Sequence, residues 1–469
     1  MRIKVENHIE LMIESIGFEG VSIARNEGLV YIVKGGIPGE KVLAVEKKKK
    51  RRYTEAVVKE VIEPSEYRTV PACRYFGVCG GCTWQNLKYE QQLYWKRQHV
   101  IDSFNRITKT EPSEIADTIP SPKIYRYRNK MEFSFGSSRW LTEEEIEQTD
   151  DISDKSFALG LHVPGRYDKV LDIEECYLID EKAVHLLNEA RNKALELSIQ
   201  PFNEKTHKGF LKNLVFRNVS SGDSMLIMIS TDIKEESEKK FIEWFFYELK
   251  NKYLISSAVH AVNNSVNTVA IGEIKRIEGK EYLIEKIDGV KFKISPFSFF
   301  QTNTEQLPVF MNEIIRIADF KKDDIVWDLF CGTGAISLLV SRDVKSVFGF
   351  ELSENSIADA KENSKLNEIA NTGFFCADLN SKNIKEILLG IPKCDIMIID
   401  PPRAGMHNNL IDTILRVAPD KIVYVSCNPA TQARDCGLLA EHYQIQEIQP
   451  VDMFPQTYHI ESIAKLIKK

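Results

Sequence analysis

Between Ile325 and Leu439 the chain alternates two periods, and this alternation restricts the fold more than any other feature. The short apolar runs IVWDLF, SVFGFE, FFCAD, CDIMIID and KIVYVSC read as buried strands, and helical-period stretches fall at 354–366, 407–417 and 430–440. Strands that alternate with helices are joined by crossovers, which predicts a parallel, doubly wound α/β sheet. Such a sheet collects ligands beyond the carboxyl ends of its strands. Asp328 lies in the first strand, and Glu351, Asp378 and Asp400 end the second, third and fourth. Cys427 ends the fifth.

The turn after the first strand is Cys331-Gly332-Thr333-Gly334, followed by Ala335, Ile336 and Ser337. The third glycine of a dinucleotide fingerprint is therefore missing, although the turn still lets a ligand approach the backbone. Glu351 suits ribose hydroxyls, Asp378 a base edge, and Asp400 a cation better than a pyrophosphate. Singly, each carboxylate reads as a helix cap or a solvated strand end. Together they favour S-adenosylmethionine, which carries a sulfonium and an ammonium.

Cys427 is the candidate nucleophile. A free thiol ionises near about pH 8.5 and needs local help, which a helix starting at Pro429 could supply through its N-terminus. An inert buried cysteine is the ordinary alternative and is expected for Cys376, Cys394 and Cys436, with Cys331 as pocket lining. Glu461, in the apolar stretch HIESIAKLI, is the candidate general base; an exposed strand-start carboxylate is its bland alternative, and His459 is a rival base.

Upstream, residues 1 to about 60 alternate apolar and polar positions between Gly-rich turns, which predicts a small β-barrel. The run Lys47-Lys48-Lys49-Lys50-Arg51-Arg52 within it is either a solvated loop or a phosphate grip. A loop with Cys73, Cys79 and Cys82 follows; Cys176 could add a fourth thiolate, and by composition zinc and iron stand level. Helix is expected over 89–104, and residues 120–295 read as mostly β, with helices near 180–198 and 234–250. The expected domains are 1–62, 63–295 and 296–469. The net charge of −6 leaves polyanion binding to local basic patches. No apolar run reaches the ~18 residues of a membrane span and no secretory signal opens the chain, so the expected location is the cytoplasm, with reduced cysteines and no membrane partner. Monomer is the default expectation.

The set DLFCGTG (328–334), DPPR (400–403), SCNP (426–429), FPQTYHIES (454–462) and SPFSFFQTN (295–303) resembles the RNA uracil-C5 methyltransferase family, over essentially the whole chain. The resemblance implies a Rossmann-like catalytic domain, a TRAM-like, OB-like RNA-binding barrel over residues 1–60 and a β-rich central domain. It also implies Cys427 as nucleophile and Glu461 as base. Gln301, Phe330, Ala335, Glu351, Asp378 and Asp400 would contact S-adenosylmethionine, Ala335 through its backbone where the family often has asparagine. Phe299 would pack near the target base, as aromatics do with extruded RNA bases. Cys73, Cys79, Cys82 and Cys176 match the four-iron, four-sulfur (4Fe-4S) pattern of the family's ribosomal branch. Because the transfer-RNA branch commonly lacks both cluster and barrel, the implied partner is 23S ribosomal RNA; a transfer-RNA substrate is the alternative.

Three rivals remain. A cytosine-C5 methyltransferase would place a cysteine just after the proline of the fourth-strand motif, where Arg403 follows Pro402 here. An amino-group methyltransferase would need no nucleophilic thiol, and a non-catalytic RNA-binding factor would need neither Cys427 nor Glu461.

Overall fold

The computed structural model describes residues 7–108, 112–148, 155–381, 384 and 391–469. Its first unit is a closed five-stranded barrel of His8–Ile16, Ser22–Asn26, Leu29–Lys34, Lys41–Lys49 and Thr54–Glu63. Strand periodicity places Leu11, Ile13, Tyr31 and Val33 inside with three alanines, Ala24, Ala44 and Ala56. Lys47 to Arg52 lie exposed at the tip joining the last two strands.

The second unit is an eight-stranded sheet in the order Glu273–Gly279, Ser257–Val262, Ser224–Ser230, Leu211–Asn218, Lys130–Gly136, Ala158–Val163, Arg166–Asp172, Arg139–Trp140. Its central strands are buried on both faces. Leu214, Phe216, Leu226 and Met228 pack under the helices Glu181–Glu196 and Glu236–Trp244, while Val215, Ile227 and Ile229 join a core shared with the third unit. Two-sided burial removes the polar alternation, so Ser257–Val262 (SAVHAV) carries no readable strand signal. A hairpin, Leu283–Ile287 with Val290–Ile294, bridges to the third unit: Asn363 of helix Glu354–Leu366 accepts from Lys293 N, and Asn367, which caps that helix, from Lys291 N.

The third unit is a sheet ordered Thr372–Cys376, Ser346–Glu351, Ile325–Leu329, Ile396–Ile399, Lys421–Ser426, Glu461–Lys468, Tyr443–Val451, Glu114–Ile115. The first five strands are parallel, as expected. The sheet is not parallel throughout: Glu461–Lys468 runs antiparallel between Lys421–Ser426 and Tyr443–Val451. Nor is the boundary expected at 295/296 clean. Helix Tyr89–Ile107 packs Val100 and Phe104 against Ala433, Cys436 and Leu439, and Glu114–Ile115 pairs with Tyr443–Val451. The helix after the glycine turn is only Ala335–Val340, and a helix at Leu307–Ala318 precedes the first strand.

Helix Tyr89–Ile107 also clasps the segment leading to Glu461. Lys96 and Asp452, both without solvent exposure, pair at 2.5 Å, and Tyr89 Oη donates to Asp452 at 2.9 Å. Gln92 and Gln456 exchange two hydrogen bonds, of 3.0 and 2.9 Å. Among the described residues, no helix is long and apolar enough to cross a membrane.

Candidate active site

The strand Ile325–Leu329 runs into a turn in which Phe330, Gly332 and Gly334 all adopt positive φ (66°, 53° and 82°). A Cβ on Gly334 would stand 3.0 Å from Phe374 Cζ, so glycine is required there for both conformation and space. Phe330 has no such licence and stores strain, a frequent mark of ligand sites. Glu351 braces the turn: it accepts from Gly332 N at 3.3 Å and Ser353 N at 2.9 Å. Ala335 opens the helix beyond the turn, and Asp378 is exposed, accepting from Asn380 N. Gln301 lies on a loop held by Asn129, whose Nδ2 donates to the Gln301 carbonyl at 2.8 Å.

Asp328 is fully buried. Its Oδ2 accepts from Ser337 Oγ at 2.5 Å, but its Oδ1 has no hydrogen-bond partner among the described residues. Burial pushes its carboxyl up to about 7 against the Ser337 hydrogen bonds, with the Glu351 charge adding. Burial, then the charge of Asp328, also pushes Asp400 to about 7. Two neighbouring carboxyls with raised pKa, one of them buried with an orphaned oxygen, favour a cationic ligand that donates hydrogen bonds. The sulfonium and ammonium of S-adenosylmethionine meet that description.

Cys427 follows the strand Lys421–Ser426 and is half-buried. Asn428 caps the helix Pro429–Leu439 by accepting from Ala430 N at 3.1 Å. The Arg403 side chain lines the same cavity as Cys427, and its charge favours the thiolate. Burial, then the charge of Glu461, pushes the Cys427 thiol up to about 11; Asp400 adds to the rise and Arg403 opposes it. Glu461 is buried rather than exposed at its strand start. Burial and Asp400 raise its carboxyl well above the usual range, again against Arg403. His459 is pushed down to about 4, by burial first and then by Arg403, Lys96 and Arg128, and so stays neutral. A cavity of about 390 Å³ opens at Cys427; Arg403, Tyr458 and His459 line it, as do Gly17 and Glu19 of the barrel.

A second cavity, of about 950 Å³, meets the first at His459 and includes Phe299, Arg128, Lys130 and Arg217 in its wall. Phe299 is 70% exposed. Its loop is fixed from below by the buried Arg217, which donates to the Ser295 carbonyl at 2.7 Å and to that of Ser298. Cys73, Cys79, Cys82 and Cys176 line the far side of this cavity. All four are free thiols. Burial pushes Cys79 to about 11 and Cys82 to about 12, with charges on the other thiols of the quartet adding. Among the described residues, no three His, Cys, Asp or Glu side chains gather closely enough to hold one metal ion. Of the cysteines expected to be inert and buried, Cys394 and Cys436 are buried, but Cys376 is exposed, because its strand forms the sheet edge.

Residues 249–469 match the family model described as tRNA (Uracil-5-)-methyltransferase. An uncharacterized RNA methyltransferase of Bacteroides thetaiotaomicron is 40% identical over 450 residues, covering 96% of this chain and 99% of that protein. The chain belongs to the RNA uracil-5 methyltransferase family. Another uncharacterized RNA methyltransferase, from Chlorobaculum tepidum, is 40% identical over 93% of this chain and 91% of its own length. The crystal structure of Pyrococcus abyssi tRNA (uracil-54, C5)-methyltransferase in complex with S-adenosyl-L-homocysteine superposes with a TM-score of 0.74 at 26% identity, over 98% of this chain and 100% of that one. This RNA uracil-5 methyltransferase is thus an S-adenosylmethionine-dependent enzyme. Two features of its site escape a sequence reading. Arg403 lies in one cavity with Cys427, whereas the DPPR motif gives Arg403 itself no role beyond excluding a cytosine-C5 methyltransferase. The barrel turn at Gly17–Glu19 reaches the nucleophile's cavity, a contact between distant segments that no local pattern encodes.

Proposed function

We propose that this RNA uracil-5 methyltransferase modifies a uridine of 23S ribosomal RNA, with Cys427 as covalent nucleophile and Glu461 as general base. The reading is supported above all by the convergence of Cys427, Glu461 and Arg403 beside the carboxylates Asp328 and Asp400. The Cys427 thiolate adds to C6 of the ring, and C5 becomes electron-rich. Bound S-adenosylmethionine supplies the methyl group, held by Gln301, Phe330, Ala335, Glu351, Asp378 and Asp400. Glu461 then takes the C5 proton, the C5–C6 double bond re-forms, and the thiolate is expelled. The first step also relieves the site: thiolate and carboxylate repel, and bonding to carbon discharges the sulfur. Arg403 stabilises the thiolate before attack and after release. Phe299, exposed on a braced loop, stacks on the extruded base.

The barrel acts as a TRAM-like grip, with Lys47–Arg52 on RNA phosphates. Cys73, Cys79, Cys82 and Cys176 would hold a 4Fe-4S cluster, which would staple the loop to the central domain. Equimolar zinc without iron or sulfide after anaerobic purification would refute this. One chain supplies every group named, so the working unit is a monomer, and a ribosomal substrate sets its work in the cytoplasm.

One observation favours transfer RNA instead: the Pyrococcus abyssi enzyme, a tRNA methyltransferase by its description, spans the barrel region as well. The barrel therefore does not discriminate the two substrates. The deciding experiment is methylation, with labelled cofactor, of separated ribosomal and transfer RNA from a strain lacking the protein. Label is expected as 5-methyluridine in 23S RNA. Label in transfer RNA alone would establish the alternative, and a product other than 5-methyluridine would overturn the chemistry.

A further inference from the structure

Asp435 is a fully buried carboxylate that the chemistry above leaves unused. It sits in the helix that follows Cys427 and lines neither cavity. Its Oδ2 accepts from Tyr424 Oη at 2.6 Å and from Met406 N at 2.8 Å, and its Oδ1 from Arg434 Nε at 2.8 Å. The Arg434 guanidinium continues to the carbonyls of Ala404 (3.0 Å) and Met406 (3.3 Å). The Arg403 carbonyl accepts from Asn428 Nδ2 (3.1 Å) and Thr431 Oγ1 (3.3 Å). Gly405 closes the turn at φ 77°, where a Cβ would stand 2.5 Å from Arg434 Nη2 and 2.6 Å from Asp435 Oδ2. The backbone of residues 403–406 is therefore moulded onto this helix, and Arg403 is the residue of that turn that lines the Cys427 cavity.

We propose that Asp435 is a positioning residue which, with Arg434, fixes the 403–406 turn so that the Arg403 guanidinium is held in the cavity beside the Cys427 sulfur. A buried carboxylate costs free energy unless its partners compensate, and here they all belong to this turn, its own helix or the strand carrying Cys427. Losing the clamp frees Arg403 to swing away, and the thiolate loses its counter-charge. The proposal rests on Cys427 being the nucleophile, but it concerns the acidity of the thiol and needs no RNA to test.

The test is peptide-resolved alkylation of the full-length protein with iodoacetamide across a pH series, with the exposed Cys376 as internal control. Arg403→Gln should raise the midpoint for Cys427. Asp435→Asn should raise it too, by about half a pH unit, or about threefold slower alkylation below the midpoint. It should add nothing in the Arg403→Gln background. Arg434→Gln, at a half-exposed position, should act in the same direction and covers the case in which Asp435→Asn does not fold. An unmoved midpoint, shifts that add in the double variant, or a shift shared by Cys376 would each overturn the proposal. Failure of wild-type protein to form an adduct with fluorinated pyrimidine RNA would instead sink the nucleophile assignment, and the two failures are distinguishable.

Discussion

Lowering the pH from 8 to 6 should weaken S-adenosylmethionine binding about tenfold if one buried carboxyl must ionise to receive it. Asp328 and Asp400 are both held near 7, several units above a free aspartate, and a sulfonium or ammonium is stabilised only by the charged form. With a pKa of about 7, roughly one-eleventh of the carboxyl is ionised at pH 6 and ten-elevenths at pH 8, which gives the factor of ten, or about 1.4 kcal/mol. A requirement for both would steepen this toward about a hundredfold, and the two carboxyls then titrate as a pair. Isothermal titration at fixed ionic strength measures it, with S-adenosylhomocysteine, which keeps the ammonium but lacks the sulfonium, as the comparison ligand. Its slope should be shallower, and Asp400→Asn should bring the two slopes together. Affinity for S-adenosylmethionine that is flat between pH 6 and 8 would refute the reasoning, and equal slopes would refute a sulfonium beside Asp400. The same shifts act on the ligand-free fold with a definite sign. A carboxyl whose folded pKa is raised binds more protons folded than unfolded, so its contribution to stability falls as pH rises from about 4 to about 7.

Glu461→Gln should leave attack intact but stop proton removal, so a covalent RNA–protein species resistant to denaturing electrophoresis should accumulate; prompt turnover would rule Glu461 out as the base. Lys96→Met should cost about 3–5 kcal/mol in denaturant unfolding, because it strands the buried Asp452. A loss below about 1 kcal/mol would mean the clasp is dispensable. Gly334→Ala forces a Cβ against Phe374 at a positive φ, so it should weaken cofactor binding by about tenfold or more while leaving Cys427 alkylation unchanged, as calorimetry and mass spectrometry can report.

The parallel core of the third unit was legible because its strands and helices differ in period and its strand ends carry chemistry. Helix Glu354–Leu366 falls where its periodicity puts it, and Glu351, Asp400 and Cys427 stand at strand ends as expected. What escaped depended on partners distant in sequence. Ser257–Val262 is apolar on both faces because two different cores claim it. Glu114–Ile115 is two residues long and is a strand only because Tyr443–Val451 is beside it. Glu461 could be singled out as a charge in an apolar run, but its burial follows from the slot between two strands, which no local pattern describes. Likewise Cys376 reads as a core residue until the sheet order makes its strand an edge.

The strand headed by Glu461 enters a gap between Lys421–Ser426 and Tyr443–Val451, both of which precede it in the chain. A folding intermediate with that gap unfilled would already carry the thiol and the parallel core. On the proposed chemistry such a species could add to a pyrimidine and accept a methyl group at C5, yet it would lack the base whose proton abstraction frees the thiolate. The buried bonds that Lys96 and Gln92 make to the approach segment hold the strand of that base in place, so on the proposed chemistry they serve product release as well as the fold.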